Sequence, residues 1–171
     1  DRASSVGIAG GGGAAIKLQP AIVLVWALLT RRWAAAIAGA AILALLAAAA
    51  TIIVGFGAWS DFVTLITRVN DPITTPHNFT PGAVAHQLGV ARATAALLQW
   101  VSMALAALAF VVAALWLGAV PSYMVAVIAS QLLSPILWDH YALLLLLPVA
   151  WLMDRGYWWA AAFVLATPVL V

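Results

Sequence analysis

The octapeptide S-P-I-L-W-D-H-Y over residues 134–141 sets Asp139 and His140 between two apolar stretches, 123–133 and 142–153, that carry no charge. Ionisable groups next to lipid are costly to keep, so such a pair is a functional candidate by default. His140 can give or take a proton near neutral pH, donate to a phosphate, or anchor the chain at an interface. Asp139 precedes an apolar run and suits a helix N-cap, worth about 1 kcal/mol, which makes it structural support for His140. Trp138 and Tyr141 fit the aromatic belt at a membrane boundary.

Lys17 is the second candidate. It lies 14 residues before Arg31, or ~21 Å along one continuous helix, deep in a bilayer. A lysine at a helix centre costs roughly 2.5–3.5 kcal/mol on insertion scales. Two readings stay open: the stem snorkels to an interface, or Lys17, with Gln19 and a kink at Pro20, lines a polar cavity and meets a phosphate as a point charge. A third group is the loop carrying Thr74, Thr75, His77, Asn78 and Thr80 between Pro72, Pro76 and Pro81. Its donors and acceptors suit sugar hydroxyls, and an ordinary surface loop is the competing reading. Asn78-Phe79-Thr80 matches the N-glycosylation pattern, a weak signal that the following Pro81 weakens further.

These groups need elements to hold them. The apolar pattern predicts an all-α, polytopic transmembrane bundle with spans near 8–29, 34–54, 94–117, 122–134, 141–153 and 157–171. The first span holds glycines 10–13, which allow close helix packing in lipid, and Pro20, which should kink it. The second, about 21 residues, is long enough for a ~30 Å hydrocarbon layer. Residues 55–93 carry charge and threonines and should lie outside the hydrocarbon. Within them, Trp59, Phe62, Val63, Ile66 and Val69 recur at helical spacing, predicting an amphipathic helix on the membrane surface. Thr80 and Pro81 should be the N-cap and first position of a short helix reaching Leu88.

Composition sets the class. Of 171 residues, 67% are hydrophobic and 7% charged, with mean hydropathy +1.13, against about 25% charged in soluble domains. Nine tryptophans agree with a membrane protein. There is no cysteine, hence no disulfide or thiolate site, and no basic stripe for nucleic acid. No metal-spaced His/carboxylate cluster, phosphate-cradling glycine loop or internal repeat is present, so neither a metal nor another cofactor is expected. Residues 1–16 lack the features of a signal peptide. Both ends look cut, so a C-terminal part of a longer protein is expected. If the spans alternate, Arg31, Arg32 and Arg155 share one side, which the positive-inside rule makes cytoplasmic. Loop 55–93 and the Trp138 turn then share the opposite face.

The segments I-K-L-Q-P (16–20), D-P-I-T-T-P-H-N (71–78) and S-P-I-L-W-D-H-Y (134–141) together resemble glycosyltransferase family 87. The resemblance implies a membrane glycosyltransferase with a C-type fold, similar to bacterial mannosyl- and arabinofuranosyltransferases of the cell envelope. It implies a polyprenyl-phosphate sugar donor, a glycolipid or glycan acceptor, and transfer on the outer face of the plasma membrane. Lys17 and Pro20 match the family's Lys-x-x-Pro, and Trp138 and His140 its Trp-x-His. Tyr141 stands where relatives often carry a second histidine. The family's catalytic base is implied to be an Asp in a first outer loop not included here, so this stretch alone should be inactive. A transporter or flippase, or a non-catalytic membrane subunit, is the alternative.

Overall fold

The computed structural model describes residues 2–16, 21–69 and 71–166. All the regular elements among them are helical. The chain divides into two compact units, Asp1–Asp71 and Pro72–Val171.

In the first unit, α1 (Arg2–Ile16) and α2 (Ala21–Leu29) pack beside α3 (Trp33–Val54). Small residues make this possible. A Cβ on Gly7 would overlap the Ala35 carbonyl, one on Gly11 would overlap Gly39 and Ile42, and one on Gly39 would stand 2.8 Å from Gly7 O. Gly7 and Gly11 are one turn apart, as are Ala35 and Gly39, so two small-xxx-small faces bring the backbones together. The numbers rise together, which makes α1 and α3 parallel.

One expectation is corrected here. A single kinked helix over 8–29 would separate residues 10 and 24 by ~21 Å. Instead, a Cβ on Gly10 would lie 3.4 Å from the Leu24 side chain. α1 and α2 are therefore two helices packed on each other, and the depth inferred for Lys17 from a continuous helix does not hold. Lys17, Gln19 and Pro20 themselves lie outside the described residues.

The turn Thr30–Arg32 stacks the Arg32 guanidinium 4.8 Å above the Trp26 ring. After Gly55 (φ 85°), α4 (Gly57–Val69) follows α3, with Trp59 Nε1 donating to Thr51 Oγ1 at 2.9 Å. Trp59, Phe62, Val63 and Ile66 stay exposed within the unit, as the apolar face of a surface helix would.

In the second unit, loop 72–80 leads into α5 (Pro81–Gln87), α6 (Arg92–Trp116) and α7 (Ala119–Leu132). Ala95, Gln99, Ala106, Phe110 and Ala113 form the buried stripe of α6, at helical spacing, and α7, which buries Met124, Ala126 and Val127, packs on α6. Turn 133–138 then enters a 3-10 stretch, Asp139–Leu145, followed by α8 (Leu146–Asp154) and α9 (Trp158–Ala166). Pro148 explains the tighter winding: in an α-helix its ring would strike the carbonyl of Leu144 and it donates no N–H. The helical stretch starts at Asp139 with Trp138 as its N-cap residue, one residue earlier than an Asp139 cap requires.

α3 and α6 have 22 and 25 residues with mean hydropathies of 2.6 and 2.1. At 1.5 Å per residue they are about 33 and 37 Å long, enough to cross a membrane. Only 6% and 22% of their most apolar stretches are buried, less than the core helix of a soluble fold buries. Leu97, Trp100, Leu105 and Leu108 all lie open on α6, an apolar surface suited to lipid.

Candidate active site

Loop 72–80 and turn 134–138 are 54 residues apart at their nearest ends, and Asn78 joins them. Its side chain is fully buried, at 0% exposure. Nδ2 donates to Pro72 O (2.6 Å) and Pro135 O (3.2 Å). Oδ1 accepts from Thr80 N (3.1 Å) and Leu137 N (2.8 Å). A carboxamide offers two donor hydrogens and two lone pairs, and all four are used. Phe79 N adds a backbone bond to Leu137 O at 2.8 Å. Asn78 therefore positions the loop and has no capacity left for a substrate. The same burial keeps its amide from serving as a glycan acceptor in the folded protein.

Thr80 occupies the N-cap position of α5 and Pro81 its first turn, but the Thr80 hydroxyl makes no capping bond and is buried without a partner. The helix end is served from α6 instead: Gln99 Oε1 accepts from Gly82 N at 3.0 Å. Gly82 permits this approach, since a Cβ there would sit 2.6 Å from Ala95 O.

Beyond the turn, three aromatic rings cluster. His140 meets Tyr141 edge to face at 4.3 Å, and Trp138 lies 5.8 Å from His140 and 6.0 Å from Tyr141. The Tyr141 N–H returns to Trp138 O at 2.9 Å, closing the first 3-10 turn. Trp138 and His140 remain exposed. The imidazole is thus packed against two rings on a solvent-exposed turn. Asp139 shares this turn by backbone position.

On the loop, His77 is exposed and adopts φ 55°, a left-handed conformation uncommon for a residue with a side chain, although histidine tolerates it better than most. It borders a cleft of about 340 Å³ lined also by Thr74, Thr75, Phe79, His86 and Gln87. Gln87 Nε2 donates to Asn78 O at 3.1 Å, and His86 Nδ1 is 3.1 Å from Val90 O. Sequence reasoning found the loop side of this cleft and missed His86 and Gln87, which read as ordinary polar residues of a short helix. Among the described residues no group of His, Asp or Glu side chains could hold a metal.

No curated protein and no solved structure matches the chain. The family model for glycosyltransferase family 87 matches residues 2–138. The match takes in α1 through α7, Asn78 and its loop, and the turn as far as Trp138, and stops two residues before His140. Over four-fifths of its length, and with apolar helices long enough for a bilayer, the chain belongs to glycosyltransferase family 87, a family of membrane glycosyltransferases.

Proposed function

We propose that this protein transfers a hexosyl group, mannosyl foremost, or an arabinofuranosyl group from a polyprenyl-phosphate sugar to an envelope glycolipid or glycan. The acceptor hydroxyl oxygen bonds to the anomeric carbon as that carbon's bond to the phosphate oxygen breaks. The hydroxyl proton goes to the Asp that the family resemblance places in a first outer loop. The polyprenyl phosphate departs with its second negative charge. Stabilising that charge where it develops is the main electrostatic task of such a site.

His140 is proposed to donate to the departing phosphate, with Asp139 beside it as structural support. Trp138 and Tyr141 orient the imidazole and flank the lipid-linked substrate. Lys17, in the Lys-x-x-Pro position, is proposed as a second phosphate ligand, with Gln19 as a polar neighbour in sequence. His77 and its loop cover the sugar. The observation that carries this reading is the Asn78 bridge, which ties a loop rich in sugar-compatible groups to the turn that bears His140.

The protein is proposed to be a multi-pass protein of the plasma membrane acting on the non-cytoplasmic face. This sidedness needs α3 and α6 as crossings and a return of the chain through α7, with Arg31 and Arg32 kept cytoplasmic. Transfer of label from radiolabelled polyprenyl-phosphate mannose or arabinofuranose to a lipid acceptor by the full-length protein tests the reaction. His140→Ala should lower turnover roughly 10²-fold, as loss of one transition-state donor does, with little change in expression because the ring is exposed. Unchanged turnover removes His140 from the mechanism, and substrate counterflow without transfer replaces the enzyme with a transporter.

A further inference from the structure

We propose that the cleft between loop 73–79 and α5 is a glycosyl-binding subsite in which His86 is the specificity-determining residue, accepting a sugar hydroxyl at Nε2. The inference rests on the glycosyltransferase reading and names the ligand class and a residue which that reading does not use.

Gly89, at φ 91°, lets the chain leave α5 in a left-handed turn. Gly89 N donates to His86 O at 2.9 Å and Val90 N to Ala85 O at 3.0 Å, the paired bonds of a Schellman ending. The turn brings Val90 O back to 3.1 Å from His86 Nδ1. A carbonyl can only accept, so Nδ1 carries the hydrogen. In the neutral imidazole the other ring nitrogen, Nε2, is then the acceptor. Half-burial of His86 along the cleft wall restricts where that lone pair can be met.

The rest of the cleft fits a neutral, hydroxyl-rich ligand. Among the described residues lining it there is no Lys, Arg, Asp or Glu. Thr74 and His77 supply hydroxyl and imidazole groups on one side. Gln87, held by its bond to Asn78 O, retains its side-chain carbonyl as an acceptor. Ile73, Pro76 and Phe79 form apolar walls for the C–H faces of a sugar ring. The volume, about 340 Å³, falls within the size of small-ligand sites and suits a single glycosyl unit. An anion would find no fixed positive charge here.

The test separates ligand contact from structural support. His86→Asn places an N–H where Nδ1 was and keeps the Val90 contact, but lacks Nε2. His86→Gln reaches the Nε2 position and gives up the Val90 contact. Full-length protein in a sugar-free amphipathic polymer is titrated with methyl α-mannopyranoside, methyl α-arabinofuranoside and methyl phosphate by saturation-transfer NMR. One of the glycosides should bind saturably, and His86→Asn should weaken it about tenfold, the equivalent of one hydrogen bond, while His86→Gln retains most of the affinity. Methyl phosphate should not displace it. In the transfer assay His86→Asn should raise one KM by a similar factor at nearly constant kcat. A raised acceptor KM assigns the cleft to the acceptor sugar, and a raised donor KM to the donor sugar. Wild-type affinity in His86→Asn, the reverse order of the two variants, or displacement by methyl phosphate overturns the proposal. Absence of transfer by the wild type would defeat the reaction reading instead, and the binding arm would still report on the cleft.

Discussion

Between α1 and α3 the helices meet backbone to backbone, with Gly7 and Gly11 set against Ala35 and Gly39. Between loop 72–80 and turn 134–138 the contact is one carboxamide spending all four of its hydrogen-bonding positions on backbone groups. The glycine joint suits helices in lipid, where apolar packing gains little because lipid is as apolar as leucine, and the amide joint ties two polar segments. They differ in what they specify. Glycine contacts set a distance and tolerate sliding along a helix. The Asn78 bonds fix four partners at once, which suits a region where side chains must be held for chemistry. The polar joint lies in the unit with the imidazole cluster and the cleft, and the glycine joint in the unit dominated by bare apolar helix.

The largest effect should come from breaking the polar joint. Asn78→Ala leaves Leu137 N, Thr80 N and two carbonyls without their partner, at about 1–3 kcal/mol for each group that cannot find water. A loss of about 3 kcal/mol in chemical denaturation is expected, together with loss of glycosyl transfer. Retained transfer would show that the loop and turn need no tie.

The glycine joint should break more mildly. Gly11→Ala forces a methyl into the Gly39 backbone and Ile42, and overpacking of this kind costs about 1–3 kcal/mol. Gly12→Ala meets nothing within 4 Å and should be neutral or slightly stabilising. Equal behaviour of the two variants in thermal unfolding would remove the α1–α3 contact from the account.

The smallest effect sharpens the contrast inside the polar joint itself. Two residues from Asn78, the Thr80 hydroxyl is buried without a partner. Removing an unsatisfied polar group relieves its desolvation, so Thr80→Val should leave stability unchanged or raise it by about 1 kcal/mol, with transfer intact. A clear loss in the same unfolding measurement would assign that hydroxyl a partner.

Much of this was legible without coordinates, and for identifiable reasons. Long uncharged runs marked α3 and α6, because bilayer thickness imposes a length that composition alone displays. Apolar residues at Trp59, Phe62, Val63 and Ile66 marked α4 by their period. The Trp138 turn stood out because charge beside apolar sequence is rare. The first span misled: an apolar run from 8 to 29 looks continuous, and a chain that packs back on itself through glycines has the same composition as one that does not. Asn78 was seen as a candidate, but as a sugar ligand, because an exposed and a buried amide are the same letters.

By itself the sequence determined the class of the protein, its apolar helices and the short stretches where polar chemistry could reside, since hydropathy and helical period are local properties. Only the tertiary structure decided which of those polar residues are available. The pairing of Asn78 with Pro135 and Leu137, the commitment of His86 Nδ1 to Val90, and the packing of Gly10 against Leu24 depend on where the chain returns. A hydrogen bond over 57 or 59 residues leaves no periodic trace, because it needs only one donor, one acceptor and a fold that brings them within 3 Å or so.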